Sequence, residues 1–467
     1  MQFMKSAYRI KQLILVLGDV LSYSVALFLA LGLRRLSIPT LDALQTHQTL
    51  FAWSMFFWVI INYINGLYDF SRMGDKKKFF RQFIETAFIS LLVGIIFFYI
   101  VPSRDIAPKT ILILTIAIGY SLSALWRLLA IHLIGGLKQL RTNILFIGNA
   151  TEVTELTETL QKFPERGYHV AALVDPDHTQ SESKPKHIEV YKSLRAIRPA
   201  ISAHTIGLVV IAPHIQSNDE AMRELYELLF WPVTIQNLPA FYELITGRIP
   251  PSIFSEGWFL EHLRQRENPF YEKGRFITDY AAAIILGLVF LVLFPFVALA
   301  IRLSSEGSIF FTQTRVGRGG KTFRLYKFRS MYSLSPDGSA ETDGYQFAKK
   351  NDKRVTSVGK FLRKTRIDEL PQVLNLFKGD ITLIGPRPER PQIVSQLTAH
   401  MPYYPLRHVM KPGITGWAVL HQNYTDTIET SLQKLQYDLY YIKNRSFLLD
   451  LSILLKTVNV IVRGLGQ

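Results

Sequence analysis

The stretch FLRKTRIDELPQVLNLFKGDITLIGPRPERP, residues 361–391, places two adjacent acids, Asp368 and Glu369, in a strongly basic setting. Helical periodicity continues from the acids to Phe377, and the lysine–glycine pair that follows is a typical C-terminal stop. Proline is tolerated only in the first turn of a helix, so Pro371 predicts a helix that begins at about Asp368. Both carboxylates are therefore predicted at a helix N-terminus.

This acid pair has two interpretations. An acid at a helix start usually caps free N–H groups, and Thr365-x-x-Asp368 resembles a capping box, although that register places Pro371 too deep in the helix. In the alternative, the helix N-terminus and the flanking Arg363 and Arg366 form an anion site that keeps a carboxylate ionised. An ionised aspartate beside a bound phosphate serves as a metal ligand or a nucleophile.

More cations lie on both sides of the acids. Arg387 and Arg390 stand on a turn that prolines stiffen, which suits an arginine that must meet one ligand. Upstream, residues 308–331 are predicted to form two strands around a glycine-rich turn, and Lys327 and Arg329 point to one face of the second strand. Two cations on one face suit a diphosphate, and a solvated strand face is the alternative.

The composition narrows the class of protein. The chain has 467 residues, enough for about three folding units, and 48% of them are hydrophobic. Because it contains no cysteine, disulfides, thiolate nucleophiles and cysteine-ligated metal sites are excluded. A formal net charge of +16 is unusual for so apolar a chain and indicates an anionic partner. Many of the basic residues flank the acid pair and do not lie in a recognised nucleic-acid module, so no nucleic-acid partner is predicted.

Four long apolar runs precede residue 137, each long enough to cross a hydrocarbon core of about 30 Å. They are Leu13–Leu33, Thr49–Leu67, Phe83–Val101 and Thr110–Ile134. Eight cations lie before the first run or between the second and third: Lys5, Arg9, Lys11, Arg72, Lys76, Lys77, Lys78 and Arg81. Four cations lie on the opposite side: Arg34, Arg35, Arg104 and Lys109. The positive-inside rule therefore places the N-terminus and the chain after residue 137 in the cytoplasm.

Residues 142–240 alternate buried strands with helices, which predicts a parallel, doubly wound Rossmann-like sheet. Only Gly148 remains of a three-glycine dinucleotide fingerprint, and Asp175 after the second strand is as compatible with a loop acid as with a ribose ligand. The prediction is a structural or regulatory module, with dinucleotide binding as the less favoured alternative.

A fifth hydrophobic segment, Tyr280–Leu303, is also long enough to span. Pro295 predicts a kink within it, because proline removes one helical hydrogen bond. A helix broken at membrane depth enters and leaves by the same face, whereas an ordinary kinked span would place the rest of the chain outside the cell. The segment by itself favours neither the re-entrant hairpin nor the kinked span.

Three motifs carry a resemblance to a known family: KFRSM at 327–331, residues 361–391 quoted above, and VMKPGITGWAVL at 409–420. Together they resemble the bacterial sugar transferases, the monotopic polyprenyl-phosphate hexose-1-phosphate transferases, over roughly Tyr271–Gln467. The N-terminal spans and the α/β module resemble the large members of that family. Ser330 stands where many members have threonine, and both residues carry a hydroxyl.

The resemblance implies a re-entrant helix hairpin broken at Pro295, with the catalytic domain on the cytoplasmic face of the bacterial inner membrane. It also implies that Asp368 attacks the phosphate bearing the sugar in a UDP-sugar and forms a covalent phosphosugar–aspartate. Polyprenyl (undecaprenyl) phosphate then takes up the sugar phosphate. Glu369 assists, and Mg²⁺ is held by Asp368 and Glu369. By the same resemblance, phosphate and nucleotide are bound by Lys327, Arg329, Arg363, Pro386, Arg387 and Pro388.

The prediction is thus a phosphoglycosyl transferase that begins exopolysaccharide, capsule or O-antigen assembly on a lipid carrier in the bilayer. Its parts are a four-helix membrane region (1–137), a Rossmann-like α/β module (138–265) and an α+β catalytic domain (266–467) with the re-entrant helix at about 278–303. The alternatives are a non-catalytic membrane-anchored regulator or scaffold, and a transporter. The sugar and the oligomeric state stay open, with a homodimer among the options.

Overall fold

The structure is a computed structural model that describes residues 2–68, 76–101, 108–136, 142–176, 188–263, 269–332, 354–422 and 427–462. It divides into two compact units, Met1–Ile245 and Thr246–Gln467. The domain borders predicted at 137/138 and 265/266 lie outside the described residues, as do Arg72 and Arg104.

The N-terminal region forms four helices, as predicted. They are α1 (Gln2–Arg35), α2 (Leu41–Ile64), α3 (Lys76–Ile100) and α4 (Pro108–Gly136). Across the described residues, four helical segments are long and apolar enough to cross a membrane: Gln12–Arg34, Phe79–Ile100, Thr110–Ala130 and Pro269–Ser304. The second predicted span is a helix but is not among these four, because polar residues such as His47, Gln48 and Asn62 lower its hydropathy.

A buried ion pair joins α1 to α4. Arg127 donates to both carboxylate oxygens of Asp19, at 2.6 and 2.7 Å, and both side chains are at most 1% exposed. The same carboxylate accepts from Ser123 at 2.7 Å, Tyr68 at 2.8 Å and Asn62 at 3.1 Å. Such a pair is stable at membrane depth only when it is fully hydrogen-bonded, as Asp19 is here.

The middle module confirms the predicted parallel, doubly wound sheet. The strands are β1 (Thr142–Ile147), β2 (Tyr168–Val174), β3 (Glu189–Tyr191), β4 (Ile206–Ile211) and β5 (Thr234–Asn237). All four pairings are parallel, in the order β3-β2-β1-β4-β5. The connecting helices are α5 (Thr151–Lys162), α6 (Ile197–Ala203), α7 (Asp219–Glu227) and α8 (Leu238–Thr246). Strands covered on both faces are continuously apolar, which explains runs such as Ile144–Ile147.

The second unit combines helices with short sheets. Its helices are α9 (Glu256–Leu263), α10 (Pro269–Ser304), α11 (Ser357–Lys364), α12 (Val373–Lys378), α13 (Pro391–His400), α14 (Trp417–His421), α15 (Ile428–Asn444) and α16 (Phe447–Val462). Its strands are β6 (Phe310–Val316), β7 (Thr322–Phe328), β8 (Thr382–Ile384) and β9 (Gly413–Thr415). The antiparallel β6–β7 hairpin confirms the two strands predicted around the glycine-rich turn, and β8 pairs with β9 in parallel.

The hairpin break predicted at Pro295 is not seen. Helix α10 is continuous over 36 residues, with Pro295 inside it. Proline removes one helical hydrogen bond, and packing on either side offsets that loss. Phe294 stacks on Phe310 with ring centroids 5.7 Å apart, and Val297 belongs to the buried core beside Phe328.

Helix α10 packs one face on its own unit along almost its whole length. The residues that make these contacts recur three or four positions apart, as one face of a helix requires. They are Arg275, Asp279, Ala283, Gly287, Phe290, Phe294, Val297 and Ile301. The opposite face exposes large apolar side chains: Ile284, Ile285, Leu288, Leu291, Val292, Phe296, Leu299 and Leu303.

Candidate active site

A sharp turn places the two acids. Arg366 has φ +59°, a left-handed conformation that is uncommon for a residue other than glycine, and it separates α11 from the next helix. That helix is a 3-10 helix, Ile367–Gln372, and α12 follows it directly. Both acids lie in its first turn, so the predicted helix start is confirmed within one residue. Gly379, with φ +74°, ends α12 at the predicted stop.

Neither acid serves as a helix cap. The N-cap position belongs to Arg366, which makes no side-chain capping bond. Thr365, the first residue of the apparent capping box, donates its hydroxyl to the main-chain oxygen of Phe361 at 2.9 Å. The capping interpretation of Asp368 and Glu369 therefore has no support in the geometry.

Glu369 is surrounded by cations. Its Oε1 accepts from Lys327 Nζ at 2.9 Å and from Arg387 Nη2 at 2.6 Å. Its Oε2 lies 3.5 Å from Arg366 Nη1. Burial raises the pKa of Glu369, but Arg387, Lys327 and Arg366 outweigh it and hold that pKa well below its usual range. Glu369 is thus the permanently ionised member of the pair.

Asp368 has a different setting from Glu369. It is 7% exposed, and it accepts no hydrogen bond from any residue that the structure describes. Burial, together with the charge of Glu369, raises the pKa of Asp368 to about 6, although Lys327, Arg363 and Arg366 lower it in part. The arginines therefore hold the pKa of Glu369 far down, whereas burial and the charge of Glu369 outweigh them at Asp368, whose pKa still lies below neutral pH.

The predicted phosphate-binding residues divide into two groups. Lys327 and Arg387 meet at Glu369, next to Asp368. Arg363 Nε donates to the hydroxyl of Ser330 at 2.9 Å, so the serine in the KFRSM motif has a defined partner. Arg329 is 5% exposed, and its guanidinium donates to the main-chain oxygen of Ser305 at 2.6 Å, at the end of α10.

Arg329 therefore has a different setting from Lys327, although the two residues are only two positions apart on the chain. A cation at the C-terminus of a helix complements the helix dipole, and the contact fixes the end of α10 to strand β7. Its predicted role in lining the substrate site stays a prediction.

Sequence reasoning missed a second set of charged residues around the proline-rich turn. They are Arg315, Glu389, Arg407, Lys434 and Asp438, which we call the buried ion cluster. The only local signal was Glu389 itself, an acid that follows Pro388 in an otherwise basic turn. Its cationic partners come from distant parts of the chain, so periodicity gave no sign of them.

Magnesium fits this site only through Asp368. Among the described residues there is no group of three or more acids or histidines that would hold a metal ion. Both oxygens of Glu369 already face cations, which oppose a divalent ion there. Asp368 offers a free carboxylate, and Mg²⁺ is commonly held by one or two carboxylates together with substrate phosphates and water.

Two known families match parts of the chain. The bacterial sugar transferase family matches residues 271–464, and the CoA-binding domain family matches residues 63–239. The first match contains the acid pair and all of its cationic neighbours, and the second contains the whole parallel sheet.

Individual proteins similar to this chain carry the names of sugar transferases. The chain is 40% identical over 240 residues to the UDP-N-acetylgalactosamine-undecaprenyl-phosphate N-acetylgalactosaminephosphotransferase of Aeromonas hydrophila, over 50% of this chain and 53% of that protein. It is 29% identical over 415 residues to the UDP-glucose:undecaprenyl-phosphate glucose-1-phosphate transferase of Klebsiella pneumoniae, over 86% of each. It is 39% identical over 190 residues to the uncharacterized sugar transferase EpsL of Bacillus subtilis, over 41% of this chain and 88% of that protein. The chain thus spans about half the length of the Aeromonas relative.

The turn after β1 is closely packed at the one glycine that remains of the dinucleotide fingerprint, Gly148. A pyrophosphate must approach the glycine backbone at this place in the fold. A Cβ on Gly148 would lie 2.5 Å from Ile215 Cγ1 and 2.8 Å from both Ala212 Cβ and His214 Nε2, so protein already fills that space. Glu152 in the first turn of α5 is buried and adds a negative charge beside it. The structural or regulatory role of this module stays a prediction.

Proposed function

The chain belongs to the bacterial sugar transferase family, and on that premise we propose that it transfers a sugar 1-phosphate from a UDP-sugar to undecaprenyl phosphate. The products are a polyprenyl-diphosphate sugar and UMP, as in the first membrane step of polysaccharide assembly. The observation that carries the proposal is the contrast within the acid pair. Glu369 is held by three cations, while Asp368 is buried beside them with a free carboxylate.

The first half-reaction forms a covalent intermediate. A carboxylate oxygen of Asp368 attacks the phosphorus that bears the sugar, and the bond from this phosphorus to the bridging oxygen breaks. UMP leaves with that oxygen, and the sugar phosphate stays on Asp368 as an acyl phosphate. Lys327 and Arg387 lie within 3 Å of Glu369, at the edge of this position, and stabilise the charge on the phosphate oxygens.

The second half-reaction frees the enzyme. An oxygen of undecaprenyl phosphate attacks the same phosphorus, and the carboxylate of Asp368 leaves unchanged. Glu369 stays ionised throughout and keeps the cations in place, because its pKa lies far below neutral pH. When bound at Asp368, Mg²⁺ would neutralise the charge of the diphosphate.

The packing of α10 supports a site on one face of the membrane. The contact stripe from Arg275 to Ile301 covers 26 rises of about 1.5 Å, or about 39 Å, which exceeds a hydrocarbon core of about 30 Å. A perpendicular crossing would draw the charged helices packed on it into the bilayer. We therefore propose that α10 stays on the cytoplasmic face, with its exposed apolar side in the lipid.

A tag placed after Gln467 is expected to be inaccessible to a membrane-impermeant reagent in intact cells. It should become reactive once the cells are opened, because the second unit is cytoplasmic. A tag in the segment between α1 and α2 is the matched control and should react in intact cells, since the positive-inside rule places it outside. Labelling of the C-terminal tag in intact cells would show that α10 crosses the membrane.

The reaction is tested with purified full-length protein, Mg²⁺, undecaprenyl phosphate and a panel of UDP-sugars. We expect UMP release with at least one sugar and a matching amount of lipid-linked sugar phosphate. Without the lipid acceptor, release should stop at about one UMP per enzyme, because the sugar phosphate stays on Asp368. A folded sample that releases no UMP with any sugar would favour the non-catalytic scaffold.

A further inference from the structure

The proline-rich turn that carries Arg387 has every main-chain oxygen held from outside. Pro386 O accepts from the main-chain N–H of Gly413 at 2.9 Å, and Arg387 O accepts from Arg407 Nη2 at 2.9 Å. Pro388 O accepts from the guanidinium of Arg315 at 3.1 Å, and the main-chain N–H of Val316 donates to the next oxygen at 2.9 Å. Four consecutive peptide oxygens thus meet donors from three separate elements.

Proline explains why the turn depends on these donors. Pro386 and Pro388 fix φ but offer no N–H, so the turn cannot hold itself by its own hydrogen bonds. Its conformation is therefore set by groups that reach it from outside. Two of them, Arg315 and Arg407, are charged side chains of the buried ion cluster.

The buried ion cluster is closely paired. Lys434 donates to Glu389 Oε1, and Arg315 and Arg407 lie 3.6 and 3.9 Å from the Glu389 carboxylate. Arg407 is 1% exposed, and its Nη2 also lies 2.7 Å from Asp438. Burial raises the pKa of Glu389, but these cations lower it to about 2, so Glu389 stays ionised at every working pH.

Arg407 connects this cluster to the acid pair. One of its guanidinium nitrogens donates to the main chain of Arg387, and the Arg387 side chain donates to Glu369 at 2.6 Å. Arg387 itself is partly open, with about a third of its side chain exposed, so its own packing does not fix it. Apart from the contact with Glu369, Arg387 is held through its main chain, and Arg407 provides one of those fixed points.

We infer that Arg407 is a positioning residue for the transfer reaction: it fixes the Arg387 turn so that the Arg387 guanidinium stays on Glu369 beside Asp368. The inference rests on the proposed function. It assigns to the buried ion cluster a role in reaction geometry beyond stability, since a misplacement of about 1 Å at a reacting centre costs up to about a hundredfold in rate.

The test is a double-mutant cycle on kcat/KM of the full-length enzyme, followed by UMP release. Arg407→Lys keeps the charge but loses the planar fork that reaches Arg387 O, Asp438 and Tyr404 together. We expect it to lower kcat/KM about tenfold in the wild-type background. In an Arg387→Ala background the same change should cost less than about twofold, because the group that it positions is gone.

Arg315→Lys is the second variant, since it removes the donor to Pro388 O and keeps a charge beside Glu389. We expect it to lower kcat/KM about tenfold in the wild-type background and less than about twofold in the Arg387→Ala background. Asp450→Asn is the stability control: Asp450 is a buried acid in the same unit that accepts from Tyr271 and Tyr441. It should lower the melting temperature and leave kcat/KM within about threefold.

Equal losses in the two backgrounds would overturn the inference, because they would show that Arg407 acts on the fold and not through Arg387. The Arg387→Ala variants are expected to be slow, so their rates are measured in single turnovers at high enzyme concentration. A wild-type enzyme that releases no UMP would instead contradict the proposed function itself. The two failures are therefore distinguishable.

Discussion

Replacing Asp368 by asparagine is expected to abolish sugar phosphate transfer, by about 10⁴-fold or more, without unfolding the protein. Asparagine is close to isosteric but has no nucleophilic carboxylate, so neither UMP release nor the covalent intermediate should be seen. The measurement is UMP release in the first half-reaction, with intact-protein mass to detect the added sugar phosphate.

Stability should not fall in this variant. Because the pKa of Asp368 in the fold is raised to about 6, its ionised form is disfavoured in the fold, and wild-type stability declines as pH rises through about 6. Asp368→Asn removes that ionisation, so at pH 8 its free energy of unfolding should equal or exceed that of the wild type. A large loss of stability would show that Asp368 has a structural role that the geometry does not reveal.

The same ionisation sets the pH dependence of the wild type. The nucleophile must be charged, so kcat/KM of the first half-reaction should rise with pH through about 6 and then level off. Asp380→Asn is the matched control: Asp380 accepts from Asn375 at 3.0 Å in the same unit, and its replacement should leave rate and pH profile within about threefold. A rate independent of pH from 5 to 8 would contradict the assignment of Asp368.

Replacing Arg127 by leucine is expected to destabilise the helices of the N-terminal region by about 3–5 kcal/mol. The change leaves the Asp19 carboxylate fully buried without its bidentate partner. The double variant Asp19→Asn, Arg127→Leu should recover much of this loss, because no charge remains and the amide oxygen still accepts from one of the two hydroxyls, Ser123 or Tyr68. The measurement is the free energy of unfolding in mixed detergent micelles.

Ser121→Ala on the same helix is the control. Ser121 is exposed and donates only to the main chain of Ala117, so its replacement should change stability by less than about 0.5 kcal/mol. If the single Arg127 variant is as stable as the control, the ion pair contributes nothing to the assembly of α1 and α4. If the double variant is no better than the single one, the loss comes from missing packing and not from the unpaired charge.

Much of the site was accessible from the sequence. Pro371 and Gly379 predicted where the helix behind the acids begins and ends, and the glycine-rich turn predicted the β6–β7 hairpin. These features depend on backbone geometry within a few residues, which single residue types determine. The alternation of strands and helices likewise predicted the parallel sheet, because burial on both faces leaves a continuous apolar pattern.

Helix α10 shows the limit of a local rule. The proline by itself predicted a kink and left a hairpin and a span equally open, and the structure shows an uninterrupted helix in which Phe294 and Val297 pack on residues far along the chain. The loss of one hydrogen bond is local, whereas the packing that offsets it is not.

The sequence by itself determined that two carboxylates stand at a helix start among arginines, and the structure confirms the helix start. Only the tertiary structure decided which of them is free. Lys327 reaches Glu369 across 42 positions and Arg387 across 18, and Asp368 makes no direct ion pair with any residue that the structure describes. Charge pairing depends on distances in space, which neither composition nor periodicity encodes.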